Sequence, residues 1–129
     1  MTTEVSPPGM LTSTHVPAAA TQATITLAAR SSTDNMVGSR YRCHAIDATI
    51  AAAATASGIM TVNLRDGATG AGTVLWTGKI ACVANTSARL HLSGLNIMGS
   101  QNTAMTLEFA GAGAANTEQT VSIAYSVSR

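Results

Sequence analysis

Residues 120–128 read Thr120-Val-Ser-Ile-Ala-Tyr-Ser-Val-Ser128. Val121, Ile123, Tyr125 and Val127 fall on one side of an extended chain, and Ser122, Ala124 and Ser126 on the other. In a strand successive side chains point to opposite faces, so this alternation predicts a ribbon with one buried and one outward side. The stretch is too β-branched and too regular in its two-residue period to be read as a helix.

Working back from this end, the same period recurs. Met105, Leu107 and Phe109 alternate with Thr106 and Glu108, and Leu90 and Leu92 with Arg89 and His91. Met60, Val62 and Leu64 alternate with Thr61, Asn63 and Arg65, and Ile25 and Leu27 with Thr24 and Thr26. Such runs are the pattern of antiparallel sheets facing a core. Between them stand clusters of turn-forming residues: Thr33-Asp34-Asn35, Ser57-Gly58, Asp66-Gly67 through Gly72, Ala84-Asn85, Gly99 through Asn102 and Gly111 through Asn116. The alanine run 51–56 also permits a helical turn, but the adjoining Thr49, Ile50 and Gly58 favour strand or loop.

The segment Arg40–Ile50 carries a phase slip. Its early inward residues are Tyr41, Cys43 and Ala45, its later ones Ile46, Ala48 and Ile50. The parity changes near Ala45–Ile46, as a β-bulge in a long, bending strand would make it. With a short segment near Leu11–Val16 included, about eight strands result. That number predicts an all-β, two-sheet antiparallel sandwich of jelly-roll type. The 129 residues suffice for one such domain, burying roughly two-thirds of the unfolded surface. Residues 1–20 are expected to form an extended N-terminal arm, broken by Pro7-Pro8-Gly9 and Pro17, and residues 21–129 the sandwich.

Charge is sparse. Asp, Glu, Lys and Arg make up 10% of the chain, against roughly 25% in an average soluble protein. Outward positions are filled by Thr, Ser, Asn, Gly and Ala, a surface soluble yet cheap to desolvate, which suits assembly with other subunits. The net charge of +1 gives no footprint for phosphate binding, so direct nucleic-acid contact is not expected. No run reaches the ~20 apolar residues of a membrane-spanning helix, and the first residues lack a secretory signal pattern, so neither membrane nor export is expected. Cys43 and Cys82 lie in strand-like segments without metal-ligand spacing. They are expected reduced and buried; a bridge would require their strands to be neighbours.

Catalytic patterns are missing. His15, His44 and His91 stand in no short ligand motif. The many serines have no Gly-x-Ser-x-Gly setting, and Asp34, Asp47 and Asp66 read as turn or strand residues. The Asp66–Gly72 stretch lacks the Lys-Ser/Thr of a phosphate loop and leads into a strand, so it is expected to be a flexible hairpin tip. No enzyme activity, metal or cofactor is expected. Trp76 is expected in the core, with an interface position as the alternative. Arg40, Arg42 and His44 form a basic stripe on one side of their strand, suited to carboxylates of a neighbouring subunit or else to solvent.

The order of segments also resembles a family. An Ala/Thr-rich lead-in (Val16–Ala29) and the basic-start strand Arg40–Ile50 precede Met60-Thr-Val-Asn-Leu-Arg-Asp-Gly. A Gly-rich tip, Val74-Leu-Trp-Thr-Gly, and the late Asn102-Thr-Ala-Met-Thr-Leu-Glu-Phe-Ala-Gly-Ala-Gly follow. Over residues 16–128 this is similar in style and order to small virion proteins of tailed bacteriophages, of the capsid decoration (cement) type. The resemblance implies a protein made in the host cytoplasm and held on the capsid exterior. There it would bind the major capsid protein, and itself as a dimer or trimer. Val5, Pro7, Pro8, Met10 and Leu11 of the arm, with Arg40, Arg42 and His44, are the interface candidates on this reading. A tail or fibre domain recognising host or glycan is the alternative, and the main coat protein of a small phage a further one.

Overall fold

The structure is a computed structural model, and it describes residues 9–15, 23–29, 38–50, 58–68, 70–83, 86–110 and 119–128. These form nine strands: β1 (Gly9–His15), β2 (Thr24–Leu27), β3 (Arg40–Ile50), β4 (Gly58–Asp66), β5 (Thr73–Cys82), β6 (Ala88–Leu92), β7 (Ile97–Met98), β8 (Met105–Phe109) and β9 (Gln119–Ser128). All pairings are antiparallel.

One sheet has the order β1-β9-β3-β6, with β7 also pairing β3; the other has the order β2-β8-β4-β5. The pairs are nested. The β4–β5 hairpin lies innermost in sequence, then β3 with β6 and β7, then β2 with β8, then β1 with β9. A long hairpin folded over in this way gives two facing sheets joined by Greek-key crossings, which is the jelly roll expected from the strand count. β6 and β7 take successive stretches beside β3, Ile46–Ile50 and Arg42–Cys43, so together they fill one strand position.

The inward residues of both sheets make one core. Tyr41, Cys43, Ile46, Ala48, Ile50, Val121, Ile123 and Val127 come from the five-stranded sheet. Ile25, Leu27, Val62, Leu64, Ile80, Cys82, Met105, Leu107 and Phe109 come from the four-stranded one. The slip read near Ala45–Ile46 is present but lies slightly earlier: the β3–β9 register shifts between Cys43 and Ala45, and Ala45, expected inward, is only partly buried. His44 is the extra residue, and with it the inward parity passes from Tyr41 and Cys43 to Ile46, Ala48 and Ile50.

Trp76 is partly buried and packs against the core. Its ring lies across Gly78, where a Cβ would stand 2.4 Å from Cη2 of the indole and 2.7 Å from Cδ2 of Leu90. Glycine is required at 78 because the ring and a leucine of the other sheet occupy the space a side chain would need. Cys43 and Cys82 are both free and buried. Burial pushes the Cys43 thiol from 9.0 to about 11 and raises that of Cys82 as well.

Two expectations are corrected. Asn63 and Ser126, assigned to an outward side, are buried, and so are Thr106 and Glu108, at 0% and 1% exposed. The Asp66–Gly72 segment, expected to be a flexible tip, is fixed against the latter two. Thr106 Oγ1 donates to the Gly67 carbonyl at 2.8 Å, and the Gly70 N–H donates to Glu108 Oε1 at 3.2 Å. Arg65 donates through Nε to Glu108 Oε1 at 2.6 Å and through Nη1 to the Gly72 carbonyl at 2.9 Å. The turn can fold this tightly because Gly67 has φ +134° and a Cβ on Gly72 would lie 2.5 Å from the Asp66 carbonyl oxygen. Residues 33–35, 51–57, 84–85 and 111–116, read as turns or loops in the sequence, lie outside the described residues.

Candidate interface

Those sequence candidates that lie among the described residues fall into two groups on one sheet. Val5, Pro7 and Pro8 lie outside the described residues. Met10 and Leu11 are on β1, in register with Ala124 and Ile123 of β9. Those β9 residues pair in turn with Ala45 and Ile46 of β3. β1 begins at Gly9 opposite Tyr125, which faces Cys43 on its other side. The start of β1 and the basic half of β3 therefore lie level with each other with β9 between them, roughly two strand spacings, or about 10 Å, apart.

Arg40 and Arg42 alternate on the outward side of β3 with the buried Tyr41 and Cys43. Both reach the same thioether: Nη1 of Arg40 and Nη2 of Arg42 each lie 3.9 Å from Sδ of Met98, which is itself exposed on β7. His44, carried outward by the bulge, has its Nε2 2.7 Å from Ser126 Oγ. The Nε of Arg42 is buried and has no hydrogen-bond partner.

Farther along the same face, Asp47 accepts hydrogen bonds from Nε of Arg89 at 3.1 and 3.2 Å and from its Nη2, and Nδ1 of His91 lies 3.3 Å from Asp47 Oδ2. The Arg89 guanidinium holds the Asp47 carboxyl below the usual aspartate value. Asp47 and His91, with Ala45, Ile46, Ser122 and Ala124, line a shallow depression of about 100 Å³. Ligand clefts usually measure roughly 300–1,000 Å³, so this depression is part of a gently dented sheet face. Among the described residues no three of His, Cys, Asp and Glu converge as metal ligands, and no helix is long and apolar enough to cross a membrane.

Met98 and Ser126 were not singled out from the sequence, nor was the Asp47–Arg89–His91 group. Their relation to β3 depends on contacts between residues 42 to 82 positions apart. Only the outward parity of Arg40, Arg42, Asp47, Arg89 and His91 was readable locally.

No protein-family model matches the chain, and no curated protein does. Solved structures do match. A chain of the cowpea mosaic virus empty virus-like particle aligns with a TM-score of 0.50 at 13% identity, covering 91% of this chain and 77% of that one. A chain of the naturally occurring empty particles of the same virus aligns with a TM-score of 0.49 at 14% identity, covering 90% and 82%. The cyanophage Pam1 capsid gives 0.38 at 18% identity, covering 98% and 84%. At such identities the likeness is one of fold: the chain is a two-sheet antiparallel jelly roll similar to a chain of a virus particle.

Proposed function

We propose that this chain is a structural subunit of a tailed-phage particle, held on the outside of the assembled capsid, where it ties neighbouring major capsid subunits together. The observation that supports this reading most is the outward face of the five-stranded sheet. It presents Thr49, Thr120, Ser122 and Ala124, all small side chains, and its one acidic residue, Asp47, is already paired with Arg89. Covering such a face strips water from few unpaired charges, so little desolvation cost opposes contact. The fold shared with a chain of a virus particle is in keeping with this role.

A clamp of this kind binds the closed shell and not its separated parts, so by linkage it stabilises the shell. Many copies acting on one particle make a modest contact per copy sufficient. Self-association as a dimer or trimer would let one clamp span a seam. Charge favours the exterior position: seven cationic and six acidic side chains, spread along the sequence, are a poor composition for holding packaged nucleic acid.

The main coat subunit of a small particle is the second reading, favoured by the fold likeness itself. Adding purified protein to undecorated expanded capsids of the encoding phage separates the two. Saturable binding with greater resistance to heat supports the exterior clamp. Closed shells formed by this chain alone support the coat subunit.

A further inference from the structure

Among the described residues, the one contact of hydrogen-bond type made by the Arg40 and Arg42 guanidinium groups is with the thioether of Met98, a weak acceptor. The carboxylates among the described residues are committed elsewhere. Asp47 is held by Arg89 and His91, Asp66 accepts from the N–H and hydroxyl of Ser100 at 2.9 and 2.5 Å, and Glu108 is held by Arg65 and Gly70. The register places serines, Ser126 and Ser128, opposite Arg42 and Arg40 on β9, and Met98 opposite Arg42 on β7. Among the described residues, no neighbouring strand brings an acid to the pair.

Resting on the exterior-subunit reading, we infer that the Arg40–Arg42–Met98 patch receives an extended, carboxylate-bearing segment of the shell protein. Arg40 and Arg42 stand two residues apart on one strand face, about 7 Å along the backbone, the repeat at which an extended chain presents side chains to one side. A segment with acidic residues at alternate positions therefore meets both. Each carboxylate can accept a pair of hydrogen bonds from a guanidinium fork, which lysine could not offer in the same geometry. Met98, 42% exposed, supplies apolar surface for the aliphatic part of such side chains. A second copy of this chain is a poorer occupant, because its described carboxylates are already engaged. Nucleic acid is poorer as well, because the patch offers two cations and no wider basic surface.

The test uses the intact protein and the acetylated, amidated peptide Thr-Glu-Thr-Glu-Thr, followed through the arginine Nε–H resonances of labelled protein. The Arg40 and Arg42 signals are expected to move with the peptide, to stay still with its glutamine counterpart, and to lose the response in the Arg40→Gln/Arg42→Gln double variant. That variant is expected to bind undecorated capsids about tenfold or more weakly, the loss of at least one charge-assisted contact. If the double variant is misfolded by circular dichroism, Arg40→Lys/Arg42→Lys replaces it and is expected to bind more weakly than the parent. No peptide response, an equal response to the glutamine peptide, tighter binding of an oligothymidylate, or signals that move with protein concentration alone would each overturn the inference. Peptide responses in a protein that ignores capsids would sink the exterior reading and leave the patch standing. Capsid binding untouched by the double variant would do the reverse.

Discussion

The phenolic hydroxyl of Tyr41 on β3 donates to the carbonyl oxygen of Ala28, just beyond β2, at 2.5 Å. The two residues belong to different sheets. At the other end of β2 the N–H of Ala23 donates to Oε1 of Gln119, a fully buried side chain on β9, at 3.1 Å. β2 is an edge strand of only four residues, paired on one side to β8. Side chains of the opposite sheet thus clasp both of its ends, and the edge is held where ladder bonds run out.

Tyr41→Phe keeps the ring, including its edge-on contact with Tyr125 at 5.9 Å, and removes only the donor. The Ala28 carbonyl then lacks its side-chain partner, which is expected to destabilise the fold by about 1–2 kcal/mol. Chemical denaturation of the two proteins measures this, and an unchanged midpoint would show the clasp to be idle.

The Arg65–Glu108 pair calls for a larger effect. Removing Arg65 leaves the Glu108 carboxylate in a site 1% exposed without its cation, which is expected to cost about 3–5 kcal/mol. Adding Glu108→Gln to Arg65→Ala neutralises that charge and keeps an acceptor for the Gly70 N–H, so the double variant is expected to be more stable than Arg65→Ala alone. Thermal unfolding of the cycle provides the comparison.

Gly78→Ala drives a methyl group into the indole of Trp76 and into Leu90. Overpacking of this kind is expected to cost about 1–3 kcal/mol. Trp76 is the single tryptophan of the chain, so its fluorescence reports the displaced ring directly.

Two titrations run in opposite directions. Asp47 has a folded pKa below its unfolded one, so its pairing with Arg89 stabilises the protein above about pH 4 and is lost as pH falls through the folded value. Arg89→Ala is therefore expected to lower stability slightly at neutral pH, less at high salt, and not at all in strong acid. Cys43 has a raised folded pKa, so its contribution is complete below 9.0 and is lost as pH climbs toward about 11. Denaturation series across pH check both signs.

The alternation of residues 120–128 and the phase slip in Arg40–Ile50 carried the fold, because strand period and bulge are local properties of the chain. Which face is covered is not local. Thr106 and Glu108 look outward by period, yet they are buried because the Asp66–Gly72 turn folds onto them through Arg65. The basic stripe was legible as a row of like charges on one strand. Its meeting with Met98 and Ser126 was not, since that depends on β3 lying between β7 and β9. Low charge pointed to assembly and the stripe to carboxylates of a neighbour, whereas the engagement of the described carboxylates was not legible, since it depends on pairings far apart in sequence.

For the phage particle proposed above, electron cryo-microscopy with this gene intact and deleted tests the central claim most directly. The account predicts jelly-roll density on the outer capsid surface, astride contacts between major capsid subunits, that disappears in the deletion while the shell beneath persists. Density for this chain inside the shell or forming its continuous wall, or none on the particle at all, would contradict it.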